Sequence, residues 1–210
     1  MTRLIIVRHA ESAFNLENRI QGHQDSVLTP KGLRQAQRLG KRLKLIQIDK
    51  IYSSDLGRAY STTLEIARHK RIPIKRDPLL REINLGDWEG MTIEEVDRLY
   101  NNGYQKWLKK PSACHIPQCE KLQHFKKRIT DRVRAIASTN RGKNVLIVTH
   151  GGAITALLAD WLKADFDNLL LNLQIDNTSI TWVDETEKRV RLRAINDTAH
   201  LSKREKNGHR

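Results

Sequence analysis

The amino-acid sequence predicts a single-domain α/β fold, a three-layer α/β/α sandwich with a mainly parallel central sheet between helices. Three observations carry this expectation. Residues 4–7 and 145–148 are short, wholly apolar runs, as strands buried on both faces of a parallel sheet are. Segments with apolar residues at spacings of three and four lie between such runs. The 210 residues, 39% hydrophobic and 30% charged, suit one soluble domain, and no run of about 18 apolar residues offers a transmembrane helix.

Taken in order, residues 4–7 form the first strand. Thr29-Pro30 reads as an N-cap followed by proline at the first helical position, opening a helix whose inner face is Leu33, Ala36, Leu39 and Leu43. Residues 48–53 form a second strand, and Asp55 is expected to cap a helix carrying Leu64, Ile66 and Ala67. Residues 71–75 form a third strand, and Thr92-Ile93-Glu94-Glu95 has the form of a capping box. Residues 104–120, with Pro111 and Pro117 and no clear period, read as a long loop or short helices. Residues 120–138 are helical, with Leu122, Phe125, Ile129, Val133 and Ile136 as the inner stripe. The strand at 145–148 runs into an apolar helix ending near Leu162, and residues 179–183 and 190–195 make a terminal hairpin. The domain is expected to span residues 1–201, followed by a basic, disordered tail over 202–210.

The chain carries 38 basic and 24 acidic residues, a net charge of +14. The excess lies in residues 106–143, which hold 11 Lys and Arg against Glu120 and Asp131. That stretch reads either as a solvated helix face or as a surface for anionic partners. Nucleic acid is disfavoured: helix-turn-helix, zinc-finger and ribonucleoprotein signatures are all missing, and aromatics make up only 5% of the chain. Cys114 and Cys119 make no disulfide framework, and residues 4–7, bracketed by Arg3 and Arg8, are too few for a secretory core. The expected location is the cytoplasm. Cys114, His115, Cys119 and His124 bring four zinc-ligand types together, but not at a familiar finger spacing, and no metal site is expected.

Ligand sites of open α/β sheets gather at the carboxyl ends of strands. Two strands here run directly into histidine: Leu4-Ile5-Ile6-Val7 into Arg8-His9, and Val145-Leu146-Ile147-Val148 into Thr149-His150-Gly151-Gly152. Alone, each histidine reads first as a hydrogen-bonded residue at a sheet edge; two such strand ends together, one beside an arginine, point to a site. Glycines after a strand let backbone N–H groups approach an anion, and the following helix adds its positive end. Arg8 and Arg58 offer the fixed cations a phosphoryl group needs.

These landmarks, read together, resemble the histidine phosphatase superfamily, the phosphoglycerate-mutase-like proteins. Leu4-Ile5-Ile6-Val7-Arg8-His9-Ala10-Glu11-Ser12 is similar to its signature, and Leu28-Thr29-Pro30-Lys31-Gly32 to its next landmark. Ser53-Ser54-Asp55-Leu56-Gly57-Arg58-Ala59 resembles the segment with the second phosphate arginine, and Arg81-Glu82-Ile83-Asn84-Leu85-Gly86 the one with the acid. Thr149-His150-Gly151-Gly152 matches the second histidine, and Asn196-Asp197 with His200-Leu201 the closing strand.

The resemblance implies a catalytic set of His9, Glu82, His150, Arg8 and Arg58. His9 is the expected nucleophile, forming a phosphohistidine, and Glu82 the expected general acid and then base. Glu82 must then be able to hold a proton. Phosphate and substrate contacts are expected from Arg8, Asn15, Gln21, Gly22, Arg58, Glu82, His150 and Gly151, with His150 best protonated when an anion is bound. No cofactor is implied. The expected activity is hydrolysis of small phosphorylated metabolites. A phosphoglycerate mutase using the same pocket is the alternative, and a basic nucleic-acid-binding protein with a relic pocket a more remote one. The mutase-specific arginine, histidine and tyrosine after the acid are absent, which favours the phosphatase branch. Where the family usually has Gly-Glu-Ser, Cys119-Glu120-Lys121 stands, and Thr155 replaces a frequent arginine. A basic lid from the 106–143 stretch, with 104–120 covering the substrate, would favour substrates with additional negative charge. A homo-oligomer is compatible with the sequence, and a membrane partner is not expected.

Overall fold

The computed structural model describes residues 1–202 and Glu205; the rest of the expected disordered tail lies outside the described residues. The first half runs β1 (Thr2–Arg8), α1 (Ala13–Leu16), α2 (Pro30–Leu43), β2 (Lys50–Ser53), α3 (Gly57–Ala67) and β3 (Ile74–Arg76). Then come α4 (Ile93–Leu99), α5 (Gly103–Lys109) and the long α6 (Leu122–Thr139). The chain closes with β4 (Asn144–Thr149), α7 (Gly151–Leu162), α8 (Phe166–Asn172), β5 (Ile180–Glu185) and β6 (Val190–Asp197).

Alternate side chains of a strand point to opposite faces, and in β1 both faces are buried. Leu4 and Ile6 pack with Phe125, Ile129, Val133 and Ile136 of α6 and with Ile154, Leu157 and Leu158 of α7. Ile5 and Val7 pack with Leu39 and Leu43 of α2 and with Ala59 and Ile66 of α3. This is the expected three-layer sandwich. The sheet order is β3-β2-β4-β1-β5-β6, with β1 to β4 parallel and β5 antiparallel to both its neighbours. The chain leaves β1, skips one position to build β2 and β3, and returns to fill the gap with β4. Arg8 thereby stands opposite Thr149, and the two strand-end histidines become neighbours although 141 positions separate them in sequence (150 less 9).

Several local expectations change in the folded chain. The third strand is Ile74–Arg76 rather than 71–75. Leu33 and Leu64 are 41% and 43% exposed, so neither belongs to the inner face of its helix. Gln35 is buried on α2 instead, because its amide is satisfied: Oε1 accepts from the Glu11 N–H at 3.0 Å and Nε2 donates to the Glu205 carbonyl at 2.7 Å. Glu205 is itself buried and paired with Arg38, so the chain is docked at this point rather than frayed from Ser202. Asp55 does not cap α3. Asp25 does, from 32 residues upstream, accepting from the backbone N–H groups of Gly57 and Arg58. The Thr29 cap and the Thr92/Glu95 capping box are present as read. The 104–120 stretch holds α5 and a short 3-10 turn at Pro111–Ala113. Among the described residues no helix is long and apolar enough to cross a membrane.

Candidate active site

The carboxyl ends of β1, β4 and β2 meet beneath a cavity of about 540 Å³. Of the residues expected from the sequence, Arg8, His9, Gln21, Gly22, Arg58, Glu82 and Gly151 line it. Asn15 lines an adjoining cavity of about 550 Å³ that shares Arg8. His150 lines neither; it is fully buried behind His9, with the two ring centroids 5.1 Å apart.

The two imidazoles have differently fixed protons. His9 Nδ1 lies 2.8 Å from the Ala10 carbonyl, which only accepts, so Nδ1 carries the hydrogen and Nε2 keeps its lone pair. His150 Nε2 lies 2.8 Å from Ser54 Oγ, which accepts or donates, and its Nδ1 is buried without a partner. Burial, followed by the charges of Arg58 and Arg8, holds the His9 pKa well below the ordinary imidazole value. Burial and then Arg58 do the same for His150. Both rings are neutral without a ligand, and the protonated form expected of His150 requires an anion to arrive.

Each arginine is held by backbone carbonyls rather than by a single carboxylate. Arg58, 1% exposed, donates to the carbonyls of Gly22 at 2.7 Å and Gln24 at 2.8 Å and also meets Asp25. Gly22 has a positive φ, and a Cβ there would overlap the Glu89 carboxylate. Arg8 donates to the Ile175 carbonyl. Burial pushes both guanidinium pKa values down, opposed at Arg58 by Asp25 and then Glu82, and at Arg8 by Glu82 and then Asp176. The Nε atoms of Arg8 and Arg58 are buried with no partner, like His150 Nδ1. Unsatisfied buried polar atoms cost about 1–3 kcal/mol each, and three of them belong to residues beside His9, since Arg8 and Arg58 line the same cavity and His150 packs on its ring, which suits the place to an oxyanion.

Glu82 reaches the cavity from the loop after β3. Its carboxylate oxygens accept the N–H groups of Ile83 and Gly152, both at 3.0 Å. Glycine at 152 makes room for this carboxylate, since a Cβ there would fall 2.5 Å from Glu82 Oε1 and displace it. Asn15 Oδ1 accepts from the Ser12 N–H and hydroxyl and from Asn177, while Gln21 Oε1 accepts from Ser12 Oγ.

The charges of the basic stretch do not reach this cavity: none of its lysines or arginines is among the lining residues. Arg128, Arg132, Arg134 and Arg141 pair with Glu120, Asp77, Asp160 and Glu187, and Lys127 pairs with Asp131. On α5, Tyr104 and Trp107 face the cavity with stacked rings 5.6 Å apart, while Lys106 and Lys109 are exposed on the opposite side of the helix. The covering element is thus aromatic where a cationic one was expected. With Ile20, Ile83, Leu85, Leu170, Leu173 and Ile175 it gives the cavity an apolar wall. Sequence reading missed Ser54, Asp25, Asn177, Arg128 and the α8 leucines. Apart from Ser54, which stood inside a recognised motif, they carry no local signal, because their partners are distant in the chain. Among the described residues no group of three or more His, Cys, Asp or Glu is arranged to hold a metal ion, the Cys114–His124 stretch included.

A neutral, oriented imidazole set among buried guanidiniums at parallel-strand ends, with a carboxyl nearby, has the chemistry that phosphoryl transfer needs. Residues 4–198 match the histidine phosphatase superfamily (branch 1), and the chain belongs to this family. It is 32% identical over 201 residues to phosphoserine phosphatase 1 of Hydrogenobacter thermophilus, covering 96% of this chain and 95% of that protein. It is 34% identical over 209 residues to the broad-specificity phosphatase YOR283W of Saccharomyces cerevisiae, covering 95% and 87%. Among solved structures, YhfR of Bacillus stearothermophilus superposes with a TM-score of 0.91 at 34% identity, over 95% of this chain and 99% of that one.

Proposed function

We propose that this protein hydrolyses small phosphomonoesters through a phosphohistidine on His9, and that it favours esters whose leaving group is apolar and uncharged. The observation that supports the chemistry is the group of three orphaned buried nitrogens, on Arg8, Arg58 and His150, around a neutral imidazole whose Nδ1 proton is fixed. In the first step the His9 Nε2 lone pair forms the N–P bond as the ester P–O bond breaks, and Glu82 gives its proton to the departing oxygen. The guanidiniums of Arg8 and Arg58 hold the equatorial oxygens, and the incoming charge favours a proton on His150. In the second step water attacks phosphorus, Glu82 takes its proton, and the P–N bond breaks to release phosphate and neutral His9.

The preference for apolar esters rests on the wall beyond the cradle, where aliphatic and aromatic side chains outnumber the polar Gln21, Thr155 and Gln174 and where, among the described residues, Arg8 and Arg58 are the only lysines or arginines lining the cavity. It replaces the expectation of polyanionic substrates.

Phosphate release from a panel at equal concentration tests both parts. Naphthyl, phenyl and long-chain alkyl phosphates are expected to give kcat/KM at least about 10-fold above phosphoserine and 3-phosphoglycerate, the equivalent of about 1.4 kcal/mol. A reversed ranking overturns the specificity. Conversion of 3-phosphoglycerate to its 2-isomer without phosphate release overturns hydrolysis in favour of mutase chemistry.

A further inference from the structure

The guanidinium of Arg128 makes no contact with the cavity, yet all of its N–H groups are engaged around the acid. A guanidinium has five donors in a rigid fork, and Arg128 makes five hydrogen bonds. Nη1 donates to the carbonyls of Leu79 at 3.0 Å and Arg81 at 3.1 Å, and Nη2 to the carbonyl of Glu82 itself at 3.1 Å. Nε and the second Nη2 hydrogen go to the two carboxylate oxygens of Glu120, at 2.9 and 2.7 Å. Both side chains are about four-fifths buried, at 18% and 20% exposure. Glu120 is joined to the same loop, its N–H donating to the Asn84 carbonyl at 2.9 Å.

We infer that Arg128 and Glu120 form a positioning pair that aims Glu82 at the leaving oxygen. This rests on Glu82 being the general acid. Otherwise the acid's loop is held near residue 82 by His23, whose Nε2 donates to the same Glu82 carbonyl at 2.9 Å, and by Arg81, which forks onto Asp55. Those two contacts tie the loop to the segments around Arg58. Arg128 ties the loop's carbonyls directly to α6, a helix packed into the core through Phe125 and Ile129 on either side of residue 128, while Arg132 of the same helix holds Asp77 at the start of the loop. A general acid works only within hydrogen-bond reach of the atom it protonates, and a fork on three neighbouring carbonyls fixes both the height and the tilt of that loop. Lysine, a single point donor, cannot reproduce the fork.

The test separates positioning from general weakening by leaving-group dependence. kcat/KM reports the phosphorylation step, in which a poor leaving group needs the acid and a good one does not. Arg128→Met and Arg128→Lys are expected to lower kcat/KM for alkyl phosphates by about 10- to 100-fold, a part of the roughly 100- to 10,000-fold that general acids supply. The loss for p-nitrophenyl phosphate should stay under about 3-fold, and competitive inhibition by inorganic phosphate should be unchanged. Glu120→Gln keeps the packing and should show the same pattern more weakly, and the double variant should cost less than the sum of the singles. An equal loss across the leaving-group series, or none, overturns the inference. Glu82→Gln is measured alongside: if it too lacks leaving-group dependence, the general-acid assignment is what fails. If it shows the dependence and Arg128→Met and Glu120→Gln do not, only the positioning role fails.

Discussion

The floor and the wall of the cavity are built on opposite plans. The floor is polar and deeply buried, with His9 at 3%, Arg58 at 1% and His150 at 0% exposure, and it stands on the ends of adjacent parallel strands. Its side chains are held by backbone carbonyls of Ala10, Gly22, Gln24 and Ile175, which do not move without moving the sheet or the loops fastened to it. The wall is apolar and half-buried, assembled from the loop at Ile83 and Leu85, from α5, and from α8 with the Leu173 that follows it. Short helices and loops carry it, with Ile83 and Leu173 resting on the main core. The proposed function assigns chemistry to the floor and selectivity to the wall. The floor can pre-orient charge because it is over-determined, and the wall can vary because apolar contact is non-directional.

The largest effect expected from that contrast is on the floor. His9→Ala should lower kcat/KM by at least about 1,000-fold for every ester alike, as loss of a nucleophile does. It should also abolish acid-labile labelling of the protein by a ³²P substrate. Residual labelling in the variant would move the nucleophile elsewhere, with His150 the next candidate.

A middle-sized effect is expected with pH, and it again belongs to the floor. In the unfolded chain imidazoles take up protons below about 6.5, whereas burial keeps His9 and His150 neutral well below that value. The unfolded state then binds more protons, so stability must fall as pH drops below 6.5. His200, pushed by burial to about 4, adds to the fall between 6.5 and 4. Urea midpoints across this range should decline in the wild type and decline less in His150→Gln. Inorganic phosphate should raise the His150 pKa, read from its imidazole ¹⁵N shift. A His150 that titrates near 6.5 without ligand would break the argument from burial.

The smallest effect is expected on the wall. Trp107→Ala should raise KM for naphthyl phosphate by roughly 10-fold, in keeping with the loss of a buried aromatic surface. KM for a short alkyl phosphate should change by less than about 2-fold, and kcat should hardly move. A kcat loss of His9 magnitude would erase the distinction between floor and wall.

How much of this was legible follows the same division. Residues 4–7 and 145–148 are apolar at every position, and only a strand buried on both faces tolerates that, so both were visible as pattern. Arg8-His9 and His150-Gly151-Gly152 are contiguous with those strands, so the floor came with them. Leu33 and Leu64 were misplaced because helical spacing marks a stripe without saying which neighbours will cover it. Asp55 reads as a cap because it precedes α3, whereas Asp25 reaches the same N–H groups through space. The basic stretch was legible as charge but not as direction, since α5 turns its lysines outward and its aromatic residues inward.

The sequence alone therefore determined the layers, the parallel strand ends and the polar groups attached to them, because apolar periodicity and short contiguous motifs act within a few residues. The tertiary structure alone decided that β4 returns beside β1, that a carbonyl fixes the His9 proton, that aromatic rings face the cavity, and that Arg128 grips the loop of Glu82. Each of these joins segments far apart in the chain. A hydrogen bond or a packed face depends on where two segments meet in space, and no local pattern in either segment records that meeting.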